Sequence, residues 1–310
     1  MRKVTFVFIA FVLALFNSSD ARAIEVGVTW FKNAAMPNNI YSSFKEHIQE
    51  KHPQVKFEEK INLKDEQEMA AAVKEFEQSK DAMLVFRSAG ATYLGQNPPK
   101  IPAFGAATNH PEILGVMDDM TSPDINFTGV TYYLPYETRL GIVNEIIPGA
   151  RVHTMVEKGH PASQVDDDGT VETCPKLNME CSVRHYENID QILSDVESMR
   201  GQVDGFILGS QTLLIDNTEA IITAAQNTPV FSYSKIPVEK GAISAHVADI
   251  ETQGRILAEI FEEVMIKGKP VSEVGFRTDP DPLLYLNVNS VRKLDLDVPL
   301  DILNAAEVIE

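Results

Sequence analysis

Residues 24–48, IEVGVTWFKNAAMPNNIYSSFKEHI, hold the pattern that decides the fold. IEVGVTWF reads as a strand, and Tyr41, Phe44 and Ile48 then recur on one helical face. The unit repeats downstream. VKFEEKI is a second strand, DEQEMAAAVKEFEQ a helix with Met69, Ala72, Val73 and Phe76 at helical spacing, and DAMLVF and IPAFGA are short apolar strands. After Tyr136 the rhythm resumes with helices TRLGIVNEII, NIDQILSDVESM and DNTEAIITAAQ alternating with strands ARVHTMV, VDGFIL and PVFSY. A long helix, TQGRILAEIFEEVMIKG, ends at Gly268 and Pro270. Alternating strands and helices imply parallel sheets covered on both faces. The expected fold class is α/β, two doubly wound parallel-sheet lobes.

Upstream of that stretch, Arg2 and Lys3 precede an apolar run from Val4 to Phe16, 13 residues, too short for the roughly 20 that span a bilayer. Ala21-Arg22-Ala23 then offers small residues where a signal peptidase reads them. Residues 1–23 are therefore expected to be a cleaved signal peptide, exporting a soluble protein to the periplasm. The full chain has 27 Lys+Arg and 45 Asp+Glu, a net charge of −18. That balance makes nucleic acid a poor partner and favours solubility. A mature chain near 287 residues exceeds one ordinary domain.

Cys174 and Cys181 are the only cysteines. In an oxidising compartment they are expected to form a disulfide closing a short loop; a metal or redox pair is the alternative, for which the spacing is poor. The surrounding VDDDGTVETCPKLNMECS reads as an acidic, exposed insertion, so the bridge should steady only a surface loop and its removal should cost little affinity. With Gly169 at position six, VDDDG would put Gln164 first and Pro175 twelfth, which excludes an EF-hand. No metal or cofactor is expected.

Parallel doubly wound lobes bind ligands beyond the carboxyl ends of their strands. The residues there are Trp30 and Phe31, Arg87 and Ser88, Thr108, Asn109 and His110, Tyr132 and Tyr133, His160 and Ser163, Ser210 and Gln211, Tyr233, and Asp249. Aromatics and small polar groups dominate, suiting a small flat or amphipathic ligand. Arg87 offers a two-donor fork for a carboxylate, or else a salt bridge at the lobe rim; Asp249 offers a partner for an ammonium, or else a helix cap. Trp30, Tyr93, Tyr132 and Tyr233 are candidates to sandwich the side group. Catalytic signatures are missing: there is no GxSxG, HExxH or GxxxxGK[ST], and His153 and His160 have no acidic third partner in register. No enzyme is expected.

The segments IPAFGAATNHPEILGV, NFTGVTYYLPYETRLGIVNEIIPGARVHTMVEKGHPAS and LYLNVNSVRKLDLDVPLDILNAAEVIE resemble the substrate-binding proteins of ABC importers, in the tryptophan/tyrosine-binding family. The resemblance runs from Ile24 to the last residue. It implies a type I periplasmic-binding-protein fold with two lobes joined by three crossings, the first lobe completed by the long helix near Ile256. It also implies a monomeric protein that closes on an amino acid or related small carboxylate and passes it to an importer permease in the inner membrane. A protein that shows its closed form to a signalling receptor is the alternative. Two departures fall near the expected cleft: Arg87 where the family has a small residue, and Asn109-His110-Pro111 where it has Asp-Pro. The lobes are expected at 24–133 with 248–280 and at 134–247 with 281–310. Crossings are expected near Tyr133-Leu134-Pro135, His246-Val247-Ala248 and Asp279 to Pro282.

Overall fold

The computed structural model describes residues 23–310; the expected signal segment lies outside the described residues, save Ala23. The first sheet has strands β1 (Glu25–Phe31), β2 (Lys56–Leu63), β3 (Ala82–Val85), β4 (Ala103–Thr108) and β5 (Phe127–Thr131), all parallel, in the order β2-β1-β3-β4-β5. Helices α1 (Ala35–Lys51), α2 (Glu66–Ser79) and α3 (Ser88–Gln96) cross between them. The strands β3, β4 and β5 are buried along their whole length, as strands covered on both faces must be.

The second half begins with α4 (Tyr136–Ile146). It continues through β6 (Arg151–Glu157), α5 (Pro161–Thr173), β7 (Glu180–Tyr186), α6 (Ile189–Met199), β8 (Gly205–Leu208), α7 (Thr212–Asp216), α8 (Thr218–Ala225), β9 (Val230–Ser232), α9 (Lys235–Glu239) and β10 (Ser244–Val247). Strands β7-β6-β8-β9 form a second parallel sheet. Helix α10 (Ile250–Phe261) follows, and a π-helical turn extends it over Glu262–Ile266. It covers the first sheet, where Phe261 meets Phe44 at 5.6 Å and Phe104 at 5.2 Å. Arg277 then bridges to Val130 at the edge of β5.

The chain closes with β11 (Leu283–Asn287), α11 (Val288–Lys293), α12 (Leu300–Ala305) and β12 (Ala306–Ile309). Strand β11 runs antiparallel to β10 and parallel to β12. Ile243 joins this ladder to β9: its amide donates to Val230 O, and its carbonyl accepts from Asn287 N.

One sequence expectation is overturned. Residues 165–173 are not an exposed acidic insertion but the body of α5, and Asp166 on it is fully buried. The helix has Val165, Thr170 and Thr173 turned inward with Asp166, an apolar and small-polar face that the neighbouring Asp167 and Asp168 disguise in the linear pattern. The disulfide does form between Cys174 and Cys181, but Cys174 is only 2% exposed and sits in the core with Val165, Leu140 and Val152. It ties the end of α5 to β7, so it anchors a core helix.

Candidate functional site

Because the strands of each main sheet are parallel, their carboxyl ends share one edge, and the two edges face each other where α3 approaches α5. From the first sheet come Phe31, Arg87, Ser88, Thr108, Asn109 and Tyr132. The second sheet contributes Glu157, His160, Ser163, Ser210, Gln211 and Tyr233. Tyr132 links the sets: its hydroxyl lies against the side chains of both Ser88 and Ser210.

Asp166 is the polar hub of the second sheet's edge. One carboxylate oxygen accepts from the Tyr136 hydroxyl at 2.5 Å, and the other from Gln211 Nε2 at 2.5 Å and from the Ser210 amide and hydroxyl at 3.2 and 3.3 Å. Four donors repay the burial of this acid. Gly169, one turn along α5, lets the helix lie on the Tyr136 ring, since a Cβ there would fall 2.2 Å from Cδ2. Burial and the field of Asp166 hold the Tyr136 hydroxyl far above its ordinary pKa, so it stays a donor.

Arg139, which the strand-end reasoning did not single out, is the least satisfied charge in this region. It is 4% exposed, and its guanidinium lies 5.5 Å from the Tyr136 ring centroid and 5.1 Å from that of Tyr233. Nη2 makes a long 3.5 Å contact to the Tyr132 carbonyl, while Nε and Nη1 have no partner. Ring faces attract a guanidinium but leave its in-plane N–H groups open. Asn109 Nδ2, Thr108 Oγ1, His110 Nδ1 and His246 Nδ1 are also buried without partners. Burial lowers the pKa of His110, His160 and His246, so all three are neutral at pH 7. The signal for Arg139 was available only as a lone Arg on a predicted helix, where an exposed face is the ordinary reading.

The remaining expected residues fall in several places. Arg87 has a left-handed φ of 75° at the start of α3 and spends Nη1 on the carbonyls of Phe31 at 2.9 Å and Lys32 at 3.4 Å; it lies in the field of Glu157 across the gap. Asp249 caps α10, accepting the Thr252 amide at 2.7 Å. Trp30 is fully buried in the first sheet's core, stacked on Phe86 at 5.5 Å, with its indole N–H on Asn62. Tyr93 packs among the apolar residues beneath α2, near Glu66 and Glu77. Ser88 accepts the Asn109 amide, Ser163 donates to the Glu157 carbonyl, His160 caps α5, and Tyr133 packs edge-on to His110 at 4.7 Å. Tyr233 shares a 3.3 Å hydroxyl contact with Thr170. Among the described residues no helix is long and apolar enough to cross a membrane, and no cluster of His, Cys, Asp and Glu is arranged to hold a metal.

Comparison with known proteins agrees with this architecture. Among curated proteins no sequence relative was found. Among solved structures, the ABC domain in complex with L-Trp from Streptococcus pneumonia superposes with a TM-score of 0.81 at 18% identity, covering 93% of this chain and 99% of that one. A conserved domain protein from Vibrio cholerae gives 0.79 at 18%, covering 93% and 100%. The ligand-free, open structure of a substrate-binding protein with adhesive properties from Clostridium difficile gives 0.77 at 17%, covering 93% and 99%. These likenesses establish the type I periplasmic-binding-protein fold. Residues 25–309 match the family described as ABC transporter substrate binding protein, and the chain belongs to that family, whose members are solute-binding partners of membrane transporters rather than enzymes.

Proposed function

We propose that the protein captures an amino acid or related small carboxylate with an apolar or aromatic group between its two lobes and delivers it to an importer permease in the inner membrane. It acts in the periplasm as a monomer freed of its signal peptide. The observation that carries the ligand class is Arg139: a buried guanidinium with two nitrogens lacking partners, braced between two tyrosine rings where the strand ends meet. A planar carboxylate matches those donors. Tyr132, Tyr133 and Tyr233 wall the site, and Ser88, Asn109, Ser210 and Gln211 supply its polar rim. The Streptococcus pneumonia structure holds L-Trp, a carboxylate on an aromatic group, which supports the same class here.

Capture needs a moving part, and the proposed lobes are 24–133 with 248–280 and 134–247 with 281–310. The chain passes between them at Tyr133-Leu134-Pro135, His246-Val247-Ala248 and Asp279 to Pro282. A ligand touching both lobes favours the closed form, and that form is what the transporter reads. Isothermal titration of the purified protein against a panel of amino acids and their carboxylate analogues should show saturable one-to-one binding. No heat at millimolar concentration from any of them would remove this ligand class.

A further inference from the structure

We infer that Asp279 is the positioning residue of the hinge: its buried carboxylate ties the second and third crossings together so that they bend as one. This rests on the capture reading above and deepens it by naming what sets the axis of closure. Asp279 is 4% exposed. Its Oδ2 accepts the Asp249 amide at 2.7 Å, and its Oδ1 accepts the Asp281 amide at 2.9 Å. The first bond reaches the end of the second crossing. The second bond folds the third crossing on itself as an Asx turn. Pro280 and Pro282 bring no N–H and fix their own φ, so Asp281 N is the one backbone donor between Asp279 and Leu283, and Asp279 takes it.

Backbone pairing secures the third crossing at either end but not in its middle. On the side of the first sheet, the Arg277 amide donates to Gly129 O at 2.9 Å and its carbonyl accepts from Thr131 N at 3.0 Å. On the other side, the antiparallel ladder of β10 and β11 runs as far as Val247 opposite Leu283. Residues 278–282 between these anchors belong to no strand. There the Asp279 carboxylate does what a ladder would do, and the His246 ring lies against the Pro282 backbone beside it. The link continues into the first lobe, because Asp249 in turn caps α10 through the Thr252 amide at 2.7 Å, and Phe261 of α10 packs on Phe104 of the first sheet. Two crossings with independent torsions would let the lobes twist as well as close. Tied by one side chain, they absorb the change of dihedral angle together, which leaves a single axis. Hydrogen bonds to an ionised carboxylate are strong enough to hold such a joint.

The test places spin labels at Gln96→Cys and Glu219→Cys, an exposed site in each proposed lobe; the native cysteines are paired and take no label. In the ligand-free protein, double electron–electron resonance should give one narrow inter-lobe distance distribution, and a broader one when Asp279→Ala is added. Hydrogen exchange at the Asp249 and Asp281 amides should become about 10- to 100-fold faster in that variant, the range for losing hydrogen bonds to a charged group. If the alanine variant does not fold, Asp279→Asn, which keeps one acceptor oxygen, takes its place and must show both changes. A distribution as narrow as that of the parent overturns the inference even where the melting temperature falls, because a merely structural bond stabilises the fold without constraining the lobes. Unchanged exchange at both amides overturns it as well. Adding the amino-acid panel, pooled at millimolar concentration, separates the two levels. Distances that shorten alike in parent and variant, from equal widths before addition, sink this inference and leave capture standing. A parent distance that does not move removes capture of an amino acid by closure, while the ligand-free widths still decide the role of Asp279.

Discussion

Glu263 lies 2.5 Å from Arg277 Nη2 and 2.8 Å from Lys269 Nζ, just beside the segment where Arg277 bridges to the edge of the first sheet. The Arg277 hydrogen bond first, and Lys269 next, hold its carboxyl at about 2. A free Glu titrates near 4.3, so the folded state binds this proton more weakly than the unfolded chain. The stabilisation is complete above the unfolded value and is lost as pH falls from about 5 toward 2. Both basic partners are partly exposed, which limits the pair to about 1 kcal/mol. In urea unfolding at pH 6 and pH 2.5, Glu263→Gln should shrink the difference between the two pH values by about that amount; an unchanged difference would remove the role. Arg139 is the opposite case, a buried charge whose Nε and Nη1 have no hydrogen-bond partner. Arg87 stood out in the sequence because it directly follows a strand and departs from the family pattern, whereas Arg139 lies inside a helix whose inward face only the folded core defines.

At the scale of elements, α5 is where linear pattern and tertiary environment part. Its three consecutive acids, Asp166, Asp167 and Asp168, look alike along the chain, yet only Asp166 faces inward, and Asp167 pairs with His185 at 2.8 Å. The bridge from Cys174 to Cys181 fastens the far end of this helix to β7. Replacing both cysteines by alanine should lower stability by about 2.5 kcal/mol on the chain-entropy account. It should also weaken ligand binding several-fold, because α5 positions Asp166, Ser163 and His160 at the strand ends. Thermal unfolding and titration of the double variant check both. Unchanged affinity would restore the surface-loop role that the polar sequence between the cysteines suggested. The strands and most helices, by contrast, were legible: Val26, Val28 and Trp30 share one face of the doubly covered β1, and Met69, Ala72, Val73 and Phe76 are the buried face of α2 as their spacing implied. The last residues form the strand β12, which pairs in parallel with β11.

For the whole molecule, the expected outcome of ligand binding is a rotation about the three proposed crossings that makes the protein more compact. Small-angle scattering with and without a saturating ligand should show a smaller radius of gyration in the bound state, and an unchanged value with a proven ligand would leave a rigid binding module. What the sequence by itself determined is the α/β rhythm, the two parallel sheets and the identity of the strand ends, because apolar periodicity is a local property that burial on both faces must obey. Only the tertiary structure decided which polar groups in and near the strand ends already have partners. Trp30 lies in the core, Arg87 gives Nη1 to two carbonyls and Asp249 gives one oxygen to a helix cap, while Arg139 Nε and Nη1 have no hydrogen-bond partner. The physical reason is that a polar group's availability depends on every partner brought to it from elsewhere in the chain, and partners 30 to 56 residues away, such as Asp166 for Tyr136 and Phe31 for Arg87, leave no mark on the local pattern.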